Sequence, residues 1–94
     1  MRFKELRVGE RVITKPTDIN KELTKFNLQW LIDSEIEDAE VEIKNNTLIW
    51  NDGKFITGHW QYGIWKDGQF RGTWENGIWE KGNFDGKWRS GIKK

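Results

Sequence analysis

The stretch "GIWKDGQFRGTWENGIWEKGNFDGKW" (residues 63–88) alternates glycine with large aromatic residues at nearly constant spacing. Set in register, the second half of the chain divides into three units, "IWNDGKFITGHWQYG", "IWKDGQFRGTWENG" and "IWEKGNFDGKWRSG", followed by "IKK". The first unit has 15 residues and the other two have 14. Nine aromatic residues and nine glycines obey this one rule, which is typical of a repeat protein.

The aligned rings fall into three columns. In extended backbone, residues i and i+2 point to the same side, so each glycine shares a side with the ring two residues later. The positions between them are almost all polar, so one side of the chain carries rings and the other meets water. We therefore expect the rings to form the structural core: Trp50, Trp65 and Trp79; Phe55, Phe70 and Phe84; Trp60, Trp74 and Trp88.

Two architectures satisfy this pattern. In a β-solenoid each unit is one turn of three short faces, glycines take the corners, and equivalent rings stack about 4.8 Å apart. In a twisted antiparallel β-meander of MORN type, the sequences "NDG", "KDG" and "ENG" close hairpins. Only Ile78 and Trp79 separate "ENG" from "EKG", which is too few residues for a paired strand. The pattern therefore favours a short β-solenoid.

The repeat changes character at its last residues. Ile92 opens a fourth unit, but Lys93 occupies the position that Trp65 and Trp79 hold in theirs. A charge in place of a ring is typical of a terminal cap, which opposes end-to-end association of strand edges.

Residues 1–46 differ in composition and predict an α+β cap, packed as one domain with the repeat at 47–94; the boundary lies near Asn45 and Asn46. "FKELRVGERVITK" (residues 3–15) predicts a strand and turn or a small hairpin around Gly9 and Glu10.

After Pro16, the sequence predicts one helix, capped by Thr17 or Asp18. Its apolar face, which we expect to pack on the repeat, is formed by Ile19, Leu23, Phe26 and Trp30. The acidic run "DSEIEDAEVE" (residues 33–42) then predicts a strand whose acids point outward, because Ala39, Val41 and Ile43 alternate with Glu40 and Glu42.

Composition narrows the function classes. The 94 residues carry 16 Lys and Arg against 15 Asp and Glu, so the chain as a whole has no strong field for nucleic acid. Cysteine is absent, which excludes disulfides and thiolate metal sites but leaves the redox compartment undetermined. The segment "MRFKELRVGE" has no apolar core of the kind that signal peptides carry, and no apolar run is long enough to span a bilayer, so we expect a cytoplasmic protein without a membrane span. His59 is the only imidazole, and Ser34 and Ser90 have no identifiable base. We expect no enzyme, catalytic residue, cofactor or metal site.

The small element G-x-aromatic-x-x resembles the pentapeptide repeat, with Gly and Trp in place of that family's Ala and Leu or Phe. "FRGTWENG" and "FDGKWRSG" resemble the start of the MORN repeat, although the period here is 14. Runs of "GIW", "GTW" and "DG" are similar to Trp-Gly repeat proteins of tailed phages. These resemblances cover residues 49–92 and imply interaction or mimicry. The partner that they imply is a virion protein or a host defence component. If the chain is phage-encoded, they imply that it acts in the host cytoplasm.

The function that we expect is therefore non-enzymatic protein binding or inhibition. The candidate contact residues lie between the rings: Tyr62, Ile64, Ile78, Arg71, Lys81, Lys87 and Arg89. Ile49, Ile64, Ile78 and Ile92 form a row that is either covered by the helix or left exposed as a contact patch. The alternative function is binding of nucleotides, single-stranded nucleic acid or glycans by ring stacking, with an oligomeric sponge for nucleotides as a variant.

Overall fold

The computed structural model describes residues 2–94, which form a mainly β protein with a helical N-terminal segment. The N-terminal half contains β1 (Phe3–Val8), β2 (Arg11–Ile13), α1 (Pro16–Lys25), α2 (Gln29–Ile32) and β3 (Glu35–Lys44). The repeat begins with β4 (Thr47–Thr57) and continues with two-residue strands. These are β5 (His59–Trp60), β6 (Ile64–Trp65), β7 (Gln69–Phe70), β8 (Thr73–Trp74), β9 (Ile78–Trp79), β10 (Asn83–Phe84), β11 (Lys87–Trp88) and β12 (Ile92–Lys93).

The repeat is a β-solenoid of about three turns, as the sequence predicted. On the first face, β4, β6, β9 and β12 pair in parallel; β4, β7 and β10 do so on the second face, and β5, β8 and β11 on the third. A meander would join successive strands in antiparallel pairs, so it is excluded. Backbone bonds repeat with the coil: the Ile78 N–H donates to the Gly63 carbonyl and the Glu80 N–H to that of Trp65, both at 2.9 Å.

The rings stack inside the solenoid in the three predicted columns. Trp50 and Trp65 lie 4.7 Å apart between ring centroids, and Trp65 and Trp79 lie 5.2 Å apart, with 9° between the ring planes in both pairs. Neighbouring columns meet edge to face, as Trp60 does with Trp65 at 5.4 Å. Of the nine rings, the first seven along the chain are buried, and the last two are half-buried. The rings therefore supply the core that a short chain with few aliphatic residues needs.

Glycine is required at the corners for a reason that the sequence pattern did not show. Gly68 has φ of +118°, and a Cβ there would overlap the carbonyl oxygen of Gly53 in the preceding coil. The pattern placed each glycine on the side of the ring two residues later, but the atoms nearest to a Cβ at Gly68 belong to the backbone of the coil before. The glycines therefore let successive corners approach each other.

The β3–β4 hairpin closes the N-terminal end of the solenoid. Asn45 and Asn46 form its turn with φ of +53° and +60°, so the boundary in composition falls at a two-residue hairpin loop. Opposite the corner at Gly53, Asp38 takes φ of +53° and the pairing register shifts, so β3 follows β4 around the corner. The predicted one-sided strand is confirmed, since Ala39, Val41 and Ile43 are buried. The hairpin predicted at residues 3–15 is confirmed by β1 and β2.

The helical segment differs from the prediction. Lys15 is the N-cap and Pro16 is the first helical residue, so the cap predicted at Thr17 or Asp18 was wrong; proline suits this position because the N–H that it lacks has no helical partner. The sequence also predicted one helix as far as Trp30, but α1 ends at Lys25. Asn27 takes φ of +60°, which breaks the helix, and Trp30 lies in the separate helix α2. Across residues 2–94, no helix has both the length and the apolar character to span a membrane.

The helices contact other surfaces than the row of isoleucines. Helix α1 lies against β1 and α2, while α2 lies against β5. The Trp30 ring meets those of Trp60 and Tyr62 edge to face, with centroids 5.3 and 5.7 Å apart. Of the two alternatives for the row of isoleucines, the structure therefore has the one in which the helix does not cover it, because the side chains before each Trp point away from the core.

Candidate interaction surfaces

One continuous row of outward residues crosses seven strands of the main sheet. The register runs from Ile92 in β12 through the isoleucines of β9, β6 and β4, and then through β3 and β1 to β2. In chain order, its members are Arg7, Val12, Glu42, Ile49, Ile64, Ile78 and Ile92. We call the outward side of these seven strands the isoleucine face, because isoleucines occupy the row in four neighbouring strands, β4, β6, β9 and β12.

The exposure of this row rises towards both ends. Ile49, Ile64 and Ile78 are half-buried by their neighbours in the ladder. Val12 is 54% exposed and Ile92 is 59% exposed, and they are two of three large apolar side chains exposed among residues 2–94. Arg7 and Glu42 separate Val12 from the isoleucines, so the continuous apolar strip consists of the four isoleucines. An apolar strip with polar margins is a feature of protein contact surfaces.

The margin of the isoleucine face carries charges of both signs. Lys66, Glu80 and Lys94 follow the rings of the first face, and the Glu80 carboxylate lies 3.6 Å from the Lys66 Nζ and 3.9 Å from the Lys94 Nζ. On the same side of the row, the Asn51 amide donates to the Glu42 carboxylate at 3.1 Å. Alternating charges that pair with each other create little field, so this margin favours a protein partner over a polyanion.

The other predicted contact residues are divided among different surfaces. Tyr62 is 42% exposed at a corner beside Trp30. Lys81 lines a groove along the corner formed by Gly53, Gly68 and Gly82, together with Asp52 and Asp67. Arg71 and Lys87 line the next groove, beside His59 and Asp85. The structure thus brings Ile64 and Ile78 together but places the four basic residues on no single patch.

A ladder of polar contacts covers the third face and involves Arg89. The His59 imidazole Nδ1 lies 2.7 Å from the Glu75 carboxylate, and the Arg89 guanidinium lies 3.8 Å from the same carboxylate. Each of these contacts joins one coil to the next, so the ladder links the three coils on this face. Among residues 2–94, no group of three His, Asp or Glu side chains is placed to hold a metal ion.

One buried carboxylate lies away from the isoleucine face, on α1. Glu22 accepts a hydrogen bond from the Lys25 ammonium at 3.3 Å and lies 3.2 Å from the Arg11 guanidinium. Burial opposes its ionisation, but the hydrogen bonds and charges of Lys25 and Arg11 outweigh that effect and hold the pKa of Glu22 below its ordinary value. This arrangement ties α1 to β2 and is structural.

The sequence did not reveal that Arg7, Val12 and Glu42 extend the row of isoleucines. These residues lie in the N-terminal half, outside the repeat, and join the row only because β3 pairs with β4 and β1 pairs with β3. The only available signal was the alternation along β3, which marked Glu42 as outward. Comparisons with protein-family models, curated proteins and solved structures give no match.

Proposed function

We propose that this chain is a non-enzymatic protein-binding protein that contacts its partner through the isoleucine face. The observation that carries the proposal is the outward row of isoleucines, which no helix covers. Burial of apolar surface contributes about 25 cal/mol per Å², so covering this strip with a partner would stabilise the complex. The charged margin would form the polar rim of the interface. The resemblance to phage Trp-Gly repeat proteins suggests virion proteins and host defence components as the first partners to examine.

The stacking alternative has less support. Seven of the nine repeat rings are buried in the stack, and only Phe84 and Trp88 are partly accessible. Ligands that stack on aromatic rings need ring faces open to solvent. A nucleotide, nucleic-acid or glycan site would therefore depend on these two rings.

The test compares two double variants in capture from cell extract. Ile64→Ser with Ile78→Ser removes the centre of the isoleucine face, whereas Thr73→Ser with Lys87→Ser replaces the residues at the corresponding positions of the third face by serine. We expect both proteins to stay folded, and we expect a partner to bind the wild type and the third-face variant but not the isoleucine variant.

Two outcomes would overturn the proposal. An isoleucine variant that shows no cooperative unfolding transition in urea is already unfolded, and this would show that the row is needed for the fold. Capture of the same proteins by a folded isoleucine variant would show that another surface makes the contact.

A further inference from the structure

A groove runs between the edge strand β2 and the helix α1. It is lined by residues 11–15 on one side and by Asp18, Lys21, Glu22 and Lys25 on the other, and its volume is about 440 Å³. Ligand-binding clefts usually enclose about 300–1,000 Å³, so this β2–α1 groove is large enough to hold a ligand. Among residues 2–94, β2 is the last strand of the main sheet and pairs with β1 alone, so one wall of the groove is an open strand edge.

The register of the β1–β2 hairpin decides which backbone groups point to that edge. Gly9 and Glu10 form a two-residue turn with φ of +62° at Gly9, so Val8 and Arg11 beside it are a hydrogen-bonded pair. Opposite residues of an antiparallel ladder alternate between hydrogen-bonded and non-hydrogen-bonded pairs, so Val12 directs its N–H and C=O away from β1. Open backbone groups of this kind are a template for a further strand.

The β2–α1 groove carries an excess of positive charge. Four basic side chains line it against two acidic ones: Arg11, Lys15, Lys21 and Lys25 against Asp18 and Glu22. Arg11 and Lys25 already neutralise the Glu22 carboxylate, from which they lie 3.2 and 3.3 Å away. By contrast, the groove along the Gly53 corner has three lysines against four acids. The β2–α1 groove therefore favours an acidic ligand.

We propose that the β2–α1 groove binds an extended acidic segment of a partner protein, which adds to the open edge of β2 as a further strand. In this mode of recognition, backbone hydrogen bonds supply affinity and alternate side chains supply specificity. This is a second binding site beyond the proposed function, since it is formed by β2 and α1 and includes neither Ile64 nor Ile78.

The two sides of β2 define the sequence of the segment. Arg11 points to the α1 side, where it pairs with Glu22, so the next residue, Val12, points to the outward side and is exposed. A segment residue opposite Val12 shares its side, whereas the residues before and after it point towards Lys21. The groove thus fits a segment in which acidic residues alternate with apolar ones. From Asp18 to Lys25 the helix rises roughly 10 Å, which matches about three or four extended residues.

A nucleic acid is the less suitable occupant of the groove. Phosphate oxygens accept hydrogen bonds but do not donate them, so they would leave the Val12 C=O without a partner. An excess of two positive charges is also small for a polyanion, whose affinity depends on many phosphate contacts. An extended peptide supplies both a donor and an acceptor to Val12.

The experiment is fluorescence anisotropy of an end-blocked, fluorescein-labelled peptide with the sequence valine-glutamate-valine-glutamate-valine. We expect it to bind the wild type with a dissociation constant below about 100 μM. A peptide with lysine in place of glutamate should bind at least about tenfold more weakly, because its charges oppose those of the groove. A peptide N-methylated at every backbone nitrogen should also bind at least about tenfold more weakly, because it has no N–H for the Val12 carbonyl.

Two variants separate the backbone contact from the charge contact. Val12→Pro removes the outward N–H and no hydrogen bond to β1, a change that proline allows at a strand edge. Lys21→Glu reverses an exposed charge in the groove. We expect each variant to raise the dissociation constant at least about fivefold. Lys87→Glu, which changes the net charge equally on the third face, should stay within about twofold of wild type.

Several outcomes would overturn the proposal. They are the absence of peptide binding to folded wild type at about 1 mM, and undiminished binding of the N-methylated peptide or by Lys21→Glu. Undiminished binding by folded Val12→Pro would also overturn it, and if that variant does not fold in urea titrations, the N-methylated peptide decides. Binding of an oligothymidylate in place of the peptide, lost in Lys21→Glu, would assign the groove to nucleic acid instead. Ile64→Ser with Ile78→Ser should bind the peptide like wild type, so failure here is distinguishable from failure of the proposed function.

Discussion

Lys93 lies beside Trp79 in the aromatic column of the first face. β12 pairs with β9 in the register that sets Lys93 next to Trp79, just as β9 sets Trp79 next to Trp65. The Lys93 Nζ lies 6.0 Å from the centroid of the Phe84 ring. The predicted register of the repeat thus continues into β12, with a cation in place of the fourth ring, where it can interact with the face of an aromatic neighbour.

Restoring the ring at this position should stabilise the solenoid. Lys93→Trp places an indole on Trp79, and a stacked aromatic pair contributes about 0.5–1.5 kcal/mol beyond area burial. We expect the free energy of unfolding to rise by about 1 kcal/mol in urea titrations. Lys94→Trp is the matched control, because residue 94 follows the ring position, and it should change the free energy by a few tenths of a kcal/mol. A Lys93→Trp variant less stable than wild type would contradict the stacking account.

The corner glycines should be irreplaceable for steric reasons. Gly68→Ala combines an unfavourable positive φ with overlap between the new Cβ and the Gly53 carbonyl oxygen. Gly9→Ala also has positive φ, +62°, but has nothing within 4 Å of the new Cβ, so it isolates the conformational part. We expect Gly9→Ala to lower the free energy of unfolding by about 1–2 kcal/mol and Gly68→Ala by clearly more. Equal losses in urea titrations would show that close coil stacking is unimportant.

The ring columns should contribute unequally along the solenoid. Trp65 is fully buried between Trp50 and Trp79, whereas Trp88 is half-buried and stacks on Trp74 alone at 5.2 Å. Trp65→Ala should therefore lower the free energy of unfolding by about 3–5 kcal/mol, and Trp88→Ala by roughly half as much. Urea titrations with far-UV circular dichroism as the probe measure both free energies of unfolding without relying on tryptophan emission. Similar losses for the two variants would mean that the stack has no protected centre.

The Glu22 carboxylate should make stability depend on pH. Because its pKa is lower in the folded protein than in the unfolded chain, its contribution is present above the ordinary value of 4.5 and is lost as pH falls through the folded-state pKa. Glu22→Gln should thus lower the urea midpoint at about pH 7 and lose less stability than wild type on acidification to about pH 3. Glu10→Gln, at an exposed position, serves as the control. Parallel pH profiles for wild type and Glu22→Gln would contradict the assignment.

The repeat could be predicted from sequence because its register is redundant: three units report the same three columns, so the pairs from Trp50–Trp65 to Trp74–Trp88 follow from one alignment. The N-terminal half has no such redundancy. The helix break depends on one residue, Asn27, in a left-handed conformation, and the apolar spacing from Ile19 to Trp30 continues through it. The extent of the isoleucine face depends on pairing between β1 and β3, which are separated by two helices, and local pattern carries no information about such contacts.

Intrinsic tryptophan fluorescence with acrylamide quenching tests the central claim, that the repeat rings are the core of the solenoid. Trp50, Trp60, Trp65, Trp74 and Trp79 are buried, while Trp30 and Trp88 are half-buried. We predict blue-shifted emission, protection of most of the intensity, and a smaller quenchable fraction in Trp88→Phe. Red-shifted emission that acrylamide quenches readily from several tryptophans, with the protein still folded, would contradict the buried stack and make the rings available to a ligand.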